Sequence, residues 1–292
     1  MSEAGREFVL TVSCPDRTGI THAVSGVALE NDLSIADSQQ FADPTSGEFH
    51  LRMHLTRQGE PTDVETVRES FARVVEEFDM TLGLHDASER QRVVLMVSRQ
   101  GHCLNDLLFR VSTGQLPIDV VAIVSNHEDF RGVAEWYGLP FHHVPVTKET
   151  KPQAEAELLR IIEETKADTV VLARYMQVLS EDLCARLSGR VINIHHSLLP
   201  SFKGAKPYTQ AHERGVKVIG ATAHYVTADL DEGPIIEQDF RRVDHRMTPA
   251  QLSTAGQELE AMALARALMW HAEHLHLVET PGEALDIVLA RA

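Results

Sequence analysis

Apolar and polar positions alternate along this chain in two rhythms, one in its first third and another thereafter. Phe8-Val9-Leu10-Thr11-Val12-Ser13 reads as a strand, Cys14-Pro15-Asp16-Arg17-Thr18-Gly19 breaks it, and Ile20 to Glu30 has apolar residues at helical spacing. Leu33 to Phe41, a turn at Pro44 and Gly47, and the alternating Phe49-His50-Leu51-Arg52-Met53-His54-Leu55 predict a hairpin. A helix over Val64 to Phe78 and a strand over Met80 to Leu84 close the series. The order βαββαβ predicts a ferredoxin-like α+β domain over residues 1–86.

Ala87-Ser88-Glu89-Arg90-Gln91-Arg92 is polar and unpatterned, so residues 87–92 read as a linker to a second domain, 93–292. There strands and helices take turns: Val93 to Ser98, a helix from Cys103 to Thr113, Val120 to Ser125, a helix near Phe130 to Tyr137, and Phe141 to Val146. A helix over Gln153 to Lys166, a strand over Thr169 to Leu172, a helix over Glu181 to Leu187 and a strand over Val191 to His195 follow. Ile235 to Val243 and a helix from Thr248 to His274 complete it. This alternation predicts a doubly wound, mostly parallel α/β sheet, whose ligands sit at the carboxyl ends of the strands.

The stretch from Arg190 to Pro234 is where chemistry concentrates. If Val191 to His195 is a strand, its period of two sends Asn193 and His195 to one face and Ile192, Ile194 and His196 to the other. An amide and an imidazole sharing a surface suit a site better than a core. The turn Asp229-Leu230-Asp231-Glu232-Gly233-Pro234 supplies three carboxylates, any of which could face the imidazole. An amide for an oxyanion, an imidazole for protons and a carboxylate to orient it fit acyl transfer.

Composition narrows the partners. A chain of 292 residues with 43% hydrophobic content can bury a sizeable core, and a formal charge of -16 argues against a nucleic-acid or anionic-membrane surface. Cys14, Cys103 and Cys184 are too few and scattered for a disulfide framework. The opening residues have no apolar targeting core and no run reaches membrane-spanning length, so a soluble cytoplasmic protein is expected. There is no Gly-x-Gly-x-x-Gly or phosphate loop. Sixteen histidines invite a metal, but His195 and His196, like His142 and His143, alternate across a strand and do not chelate one ion easily. His271 and His274 read as a solvated helix face, His102 and His127 as residues shaping a pocket or capping a turn, and Cys103 as a small buried residue at a helix start. Asp16 reads as a helix cap and Gly19 as a turn residue.

Asn193-x-His195-x-Ser197-Leu198-Leu199-Pro200, Gly220-x-Thr222-x-His224-Tyr225-Val226 and Leu230-Asp231-x-Gly233-Pro234 resemble the signature of the 10-formyltetrahydrofolate-dependent formyltransferases. The resemblance implies Asn193, His195 and Asp231 as catalytic residues. It implies a folate pocket lined by Tyr175, Met176, Gln177, Val178, Leu179 and Thr227; Lys203 and Lys206 flank the pocket loop, either to meet the anionic glutamate tail or as ordinary surface lysines. Gly101-His102-Cys103-Leu104-x-Asp106-Leu107-Leu108, Val124-Ser125-Asn126-His127 and Pro140-Phe141-His142-His143 are similar to the formyltetrahydrofolate deformylase branch, and Ser98 to Asn105 lacks the Gly/Ser/Asn-rich turn of members that formylate a ribonucleotide amine. The implied reaction is hydrolysis to formate and tetrahydrofolate, in one-carbon and purine metabolism, with no metal or other cofactor. Transfer to an amine acceptor is the alternative reading, and a silent binding regulator the third. The first domain resembles an ACT module through Asp16-Arg17-Thr18-Gly19-Ile20 and Asn31-Asp32-Leu33-Ser34-Ile35. That implies an amino-acid effector such as glycine or methionine near Asp16, Arg17, Gly19 and Asn31, and a homo-oligomer, dimer or tetramer.

Overall fold

The computed structural model describes residues 6–58, 62–200, 207–277 and 287–288. The chain divides into two compact units, one of residues 1–90 with 273–277 and 287–292, the other of 91–272 with 278–286. Glu273 to Leu277 therefore group with the first unit rather than with the second domain expected to reach residue 292. Two interactions give the reason: the Arg52 guanidinium donates to the Glu273 carbonyl at 2.9 Å, and His274 stacks on His85 with centroids 3.7 Å apart.

The first unit runs β1 (Arg6–Pro15), α1 (Ile20–Glu30), β2 (Leu33–Ala42), β3 (Glu48–Arg57), α2 (Val64–Ser70), α3 (Ala72–Phe78) and β4 (Thr81–Asp86). Its sheet has the order β2-β3-β1-β4, with every neighbouring pair antiparallel, which is the ferredoxin-like arrangement. Phe8, Leu10 and Val12 of β1 and Leu51, Met53 and Leu55 of β3 pack with Val24 and Val27 of α1. The single helix expected from Val64 to Phe78 is two, meeting at the fully buried Phe71. Helix α1 opens at Gly19, left-handed at φ 103°, and no side chain caps it, so Asp16 is not its cap.

The second unit contains β5 (Gln91–Val97), α4 (His102–Ser112), β6 (Ile118–Ser125), α5 (Arg131–Trp136), β7 (Phe141–His143), α6 (Lys151–Thr165) and β8 (Thr169–Leu172). It continues with α7 (Glu181–Arg186), β9 (Val191–His195), α8 (Pro207–Glu213), β10 (Val218–Tyr225), β11 (Ile235–Arg242) and α9 (Pro249–Ala272). The chain ends in a small ladder of β12 (His276–Leu277) and β13 (Ile287–Val288). Strand β5 starts at Gln91, inside the stretch expected as linker: Gln91 pairs with Ile118, and the Arg92 N–H donates to the Asp168 carboxylate at 2.8 Å. Polar composition at a strand's first residues concealed the pairing.

The seven-stranded sheet has the order β11-β10-β9-β8-β5-β6-β7, parallel from β9 to β7 and antiparallel at β10 and β11. Both faces are covered. Val93, Leu95 and Val97 turn to a core with α4 and α9, while Val94 and Met96 turn to one with α6 and α7. A parallel strand covered on both sides must be apolar on both, and β5 is. No described helix is long and apolar enough to cross a membrane.

Candidate active site

Strand β9 positions the first two polar groups. Ile192 and Ile194 go to the α4 and α9 core while Asn193 and His195 project over the other face, as the alternation predicts. His196 departs from it: the strand ends at His195, the backbone turns, and the two imidazoles stack with centroids 4.8 Å apart. On the neighbouring strand the antiparallel register sets His224 opposite Asn193. The Asn193 amide meets His224 Nε2 at 3.1 Å, and His224 Nδ1 meets the Tyr225 carbonyl at 2.8 Å. A carbonyl only accepts, so Nδ1 holds the proton, and in the neutral ring Nε2 accepts from the Asn193 NH2. His224 thereby orients that amide and leaves its second N–H for another partner.

The carboxylate arrives from the turn after β10. Because β10 is antiparallel, it exits beside Val191, at the amino end of β9, and the chain returns over the sheet face to bring Asp231 to His195. Asp231 Oδ2 lies 3.2 Å from His195 Nδ1 and Oδ1 lies 3.6 Å from His224 Nε2. Asp229 and Glu232 remain exposed. Asp231 sits at φ 58°, where side chains are uncommon. A Cβ at Gly233 would lie 1.9 Å from the Tyr225 carbonyl oxygen, so only glycine lets the turn close this tightly against β10. The hydrogen bond from His195 above all pulls the Asp231 carboxyl far below the usual carboxylate range, outweighing its burial. His195 itself is 6% exposed, and its Nε2 is buried without a hydrogen-bond partner among the described residues. An ionised carboxylate on Nδ1 fixes the neutral tautomer, so this unpartnered Nε2 presents a lone pair.

These groups open on a cavity of about 250 Å³ lined by Tyr175, Met176, Gln177, Val178 and Leu179 after β8 and by Thr227 to Asp231. The structure thus gathers every expected folate-contact residue except Lys206, which with Lys203 lies outside the described residues. Met176, Val178 and Leu230 are more than half exposed, giving the cavity an apolar rim suited to a flat aromatic ligand. Burial, then the Glu155 charge, push the Tyr175 hydroxyl up to about 12, so it stays a neutral donor.

Other expectations resolve differently. His271 is not a solvated residue: its Nε2 lies 2.9 Å from the Thr169 hydroxyl and its Nδ1 2.7 Å from the Tyr225 hydroxyl, and burial lowers its pKa to about 4. His102 bonds Glu260 at 2.8 Å, and His127 is not among the cavity's lining residues. His102, Cys103 and Glu260 could by geometry approach one cation, their ligand atoms lying within 4.8 Å of one another. Burial, then Glu260, raise the Cys103 thiol well above its ordinary range, and the Arg174 guanidinium occupies the same corner, so the donor set does not fit a metal. In the first unit Arg17 sits over the Phe78 ring at 4.1 Å and donates to the Glu77 carbonyl, and the Asn31 amide donates to the Val27 carbonyl at the end of α1. Two cavity residues escaped the sequence reading as functional: His224, whose place in a motif carried the only signal, and Arg174, which had none.

The fold and the site together define a formyl-handling α/β enzyme, and residues 91–268 match the Formyl transferase family. A formyltetrahydrofolate deformylase of Corynebacterium sp. (strain P-1) is 50% identical over 94% of this chain and 95% of its own. The crystal structure of a formyltetrahydrofolate deformylase from Pseudomonas syringae pv. tomato superposes with a TM-score of 0.91 at 46% identity, covering 95% of this chain and 93% of that one. A glycinamide ribonucleotide transformylase from Symbiobacterium toebii shares the second unit's fold, with a TM-score of 0.62 and 30% identity over 68% of this chain and 94% of its own. The chain belongs to the formyltetrahydrofolate deformylase family.

Proposed function

We infer that this chain hydrolyses 10-formyltetrahydrofolate to tetrahydrofolate and formate. The observation that carries the reading is the buried His195, tied through Nδ1 to an ionised Asp231 and free at Nε2, beside a pre-oriented Asn193. His195 Nε2 takes a proton from water as the oxygen attacks the formyl carbon. The formyl oxygen becomes an oxyanion, and the second Asn193 N–H donates to it. Asp231 balances the imidazolium and holds the ring in line. The proton then passes from Nε2 to N10, the C–N10 bond breaks, and tetrahydrofolate leaves together with formic acid, which loses its remaining proton to solvent as formate. The pterin lies against the loop from Tyr175 to Leu179 and the turn from Thr227 to Asp231, and Lys206 meets the glutamate tail.

Purified protein given 10-formyltetrahydrofolate and no amine should release formate and tetrahydrofolate in equal amounts. Asp231→Asn should lower kcat by about 10³-fold or more with folate binding retained. A variant of near wild-type rate removes Asp231 from the mechanism, and tetrahydrofolate formed only when an amine is added favours the transferase reading.

The first unit is read as an ACT-like regulatory module acting in a soluble, cytoplasmic enzyme. The support is its ferredoxin-like sheet and the left-handed entry to α1 at Gly19, beside the Asp16-Arg17-Thr18-Gly19-Ile20 motif. Glycine or methionine binds near Asp16, Arg17, Gly19 and Asn31, and the modules pair in a dimer or tetramer. Sedimentation of the full chain should give a species of at least twice the 32.5 kDa chain mass, and a monomer at all concentrations discards the pairing.

A further inference from the structure

The second unit's fold is shared with an enzyme named for formylating a ribonucleotide amine, so the fold alone does not decide between water and an amine. We propose that a buried network centred on Arg174 makes hydrolysis obligatory by closing the cavity's polar flank to any nucleophile larger than water. The proposal rests on the hydrolase reading above.

Arg174 follows β8 by two residues and is 8% exposed, yet it lines the same cavity as Asn193, His195 and Asp231. Its backbone is left-handed at φ 66°, a conformation that glycine takes freely and a long side chain takes only when its surroundings hold it there. They do. Its Nε and Nη2 donate to Gln100 Oε1 at 3.1 and 2.8 Å, and its Nε lies 3.2 Å from Glu260 Oε2. Glu260, 1% exposed on α9, also takes a bond of 2.8 Å from His102 and one of 2.6 Å from the Tyr208 hydroxyl. Burial pushes the Glu260 carboxyl up, but His102, Arg174 and Tyr208 together bring it below its ordinary range, so it stays an anion facing the guanidinium. Helix α9 makes room at Gly256, where a Cβ would come within 2.0 Å of the Tyr208 hydroxyl. Ser98 ties the turn after β5 to the same loop, its N–H donating to the Arg174 carbonyl at 3.2 Å and its hydroxyl accepting from the Met176 N–H at 3.0 Å.

Met176, Val178 and Leu230 line the cavity with exposed apolar surface, and Arg174 lines it as a buried cation. On this proposal the pterin takes the apolar part and the nucleophile comes in past Arg174. Held by both Gln100 and the buried Glu260, the guanidinium cannot swing aside to admit an amine. Water passes because it is small. With the flank open, an amine nitrogen attacks the formyl carbon, the C–N10 bond breaks, and the proton the amine loses goes to N10, giving a formamide and tetrahydrofolate.

The test is product partition. The full chain is given 10-formyltetrahydrofolate and glycinamide at pH 8, near the usual α-amino pKa of ~8, and formate and formylglycinamide are quantified. Wild type should yield formate alone. Arg174→Gly, which suits the left-handed backbone, should raise the formylglycinamide fraction by about tenfold or more over the wild-type background. Arg174→Gly/Glu260→Gln removes the buried unpaired carboxylate and should do the same, which keeps the question open to experiment if the single variant does not fold. A folded variant that still turns over with the wild-type product ratio overturns the proposal. Wild type that releases no formate overturns the hydrolase reading instead.

Discussion

At the residue scale the site depends on two imidazoles with different duties. His195 presents an Nε2 with no partner among the described residues, while both nitrogens of His224 are engaged, one with the Tyr225 carbonyl and one with the Asn193 amide. His224→Phe should leave Asn193 without an acceptor and lower kcat about tenfold, the worth of one buried hydrogen bond, with KM little changed. His224→Gln, which restores a carbonyl acceptor, should recover most of the rate. Equal losses in the two variants, or a loss confined to KM, assign His224 to packing alone. Asp231 stays ionised well below neutral pH, so Asp231→Asn should lower activity at every assay pH rather than shift the profile. Asn193 and His195 were legible as a pair because strand alternation is local. His224 and Arg174 were not, because one depends on cross-strand register and the other on a loop conformation in which a side chain is unusual.

At the scale of elements, the turn between β10 and β11 delivers the carboxylate, and its closure depends on Gly233. Gly233→Ala drives a methyl into the Tyr225 carbonyl, so the turn must lift and Asp231 with it. The cost in stability should be about 1–3 kcal/mol, with a larger fractional loss in kcat than in folate affinity. Parallel thermal melts and steady-state kinetics check this, and a variant with unchanged kcat shows that Asp231 does not depend on the turn. The order of elements was legible through most of both units, since apolar runs of strand length and helical spacing recur, but the β12–β13 ladder was not read. Their edges were less so. Gln91 and Arg92 pair although their composition reads as linker, and Phe71 interrupts what its spacing presents as one helix. Pairing partners and backbone bends are decided by residues remote in sequence.

At the scale of the whole molecule, His271 ties α9 to β8 and β10 and links stability to pH. The Thr169 hydroxyl donates to Gln91 at 2.8 Å, so it accepts from His271 Nε2–H, and the Tyr225 hydroxyl donates to Nδ1, a neutral ring satisfied on both sides. Folded His271 titrates at about 4, below its usual 6.5, so the unfolded chain binds the extra proton between those values. Stability is therefore retained above pH 6.5 and declines as pH falls toward 4. The urea midpoint should drop from pH 7 to pH 5, and His271→Gln should narrow that difference; an undiminished difference places the acid sensitivity elsewhere. The division into two units was only partly legible, because residues 273–277 return to the first unit through interactions that no linker composition announces. The pairing of Asn193 with His224 has one further consequence. Strand side chains alternate, so a slip of β10 by one residue against β9 would set Ala223 or Tyr225 opposite Asn193 and send His224 into the opposite core. A chain could then regain its native content of sheet during refolding and still be inert, and recovery of catalysis would time the moment at which these two strands find their alignment.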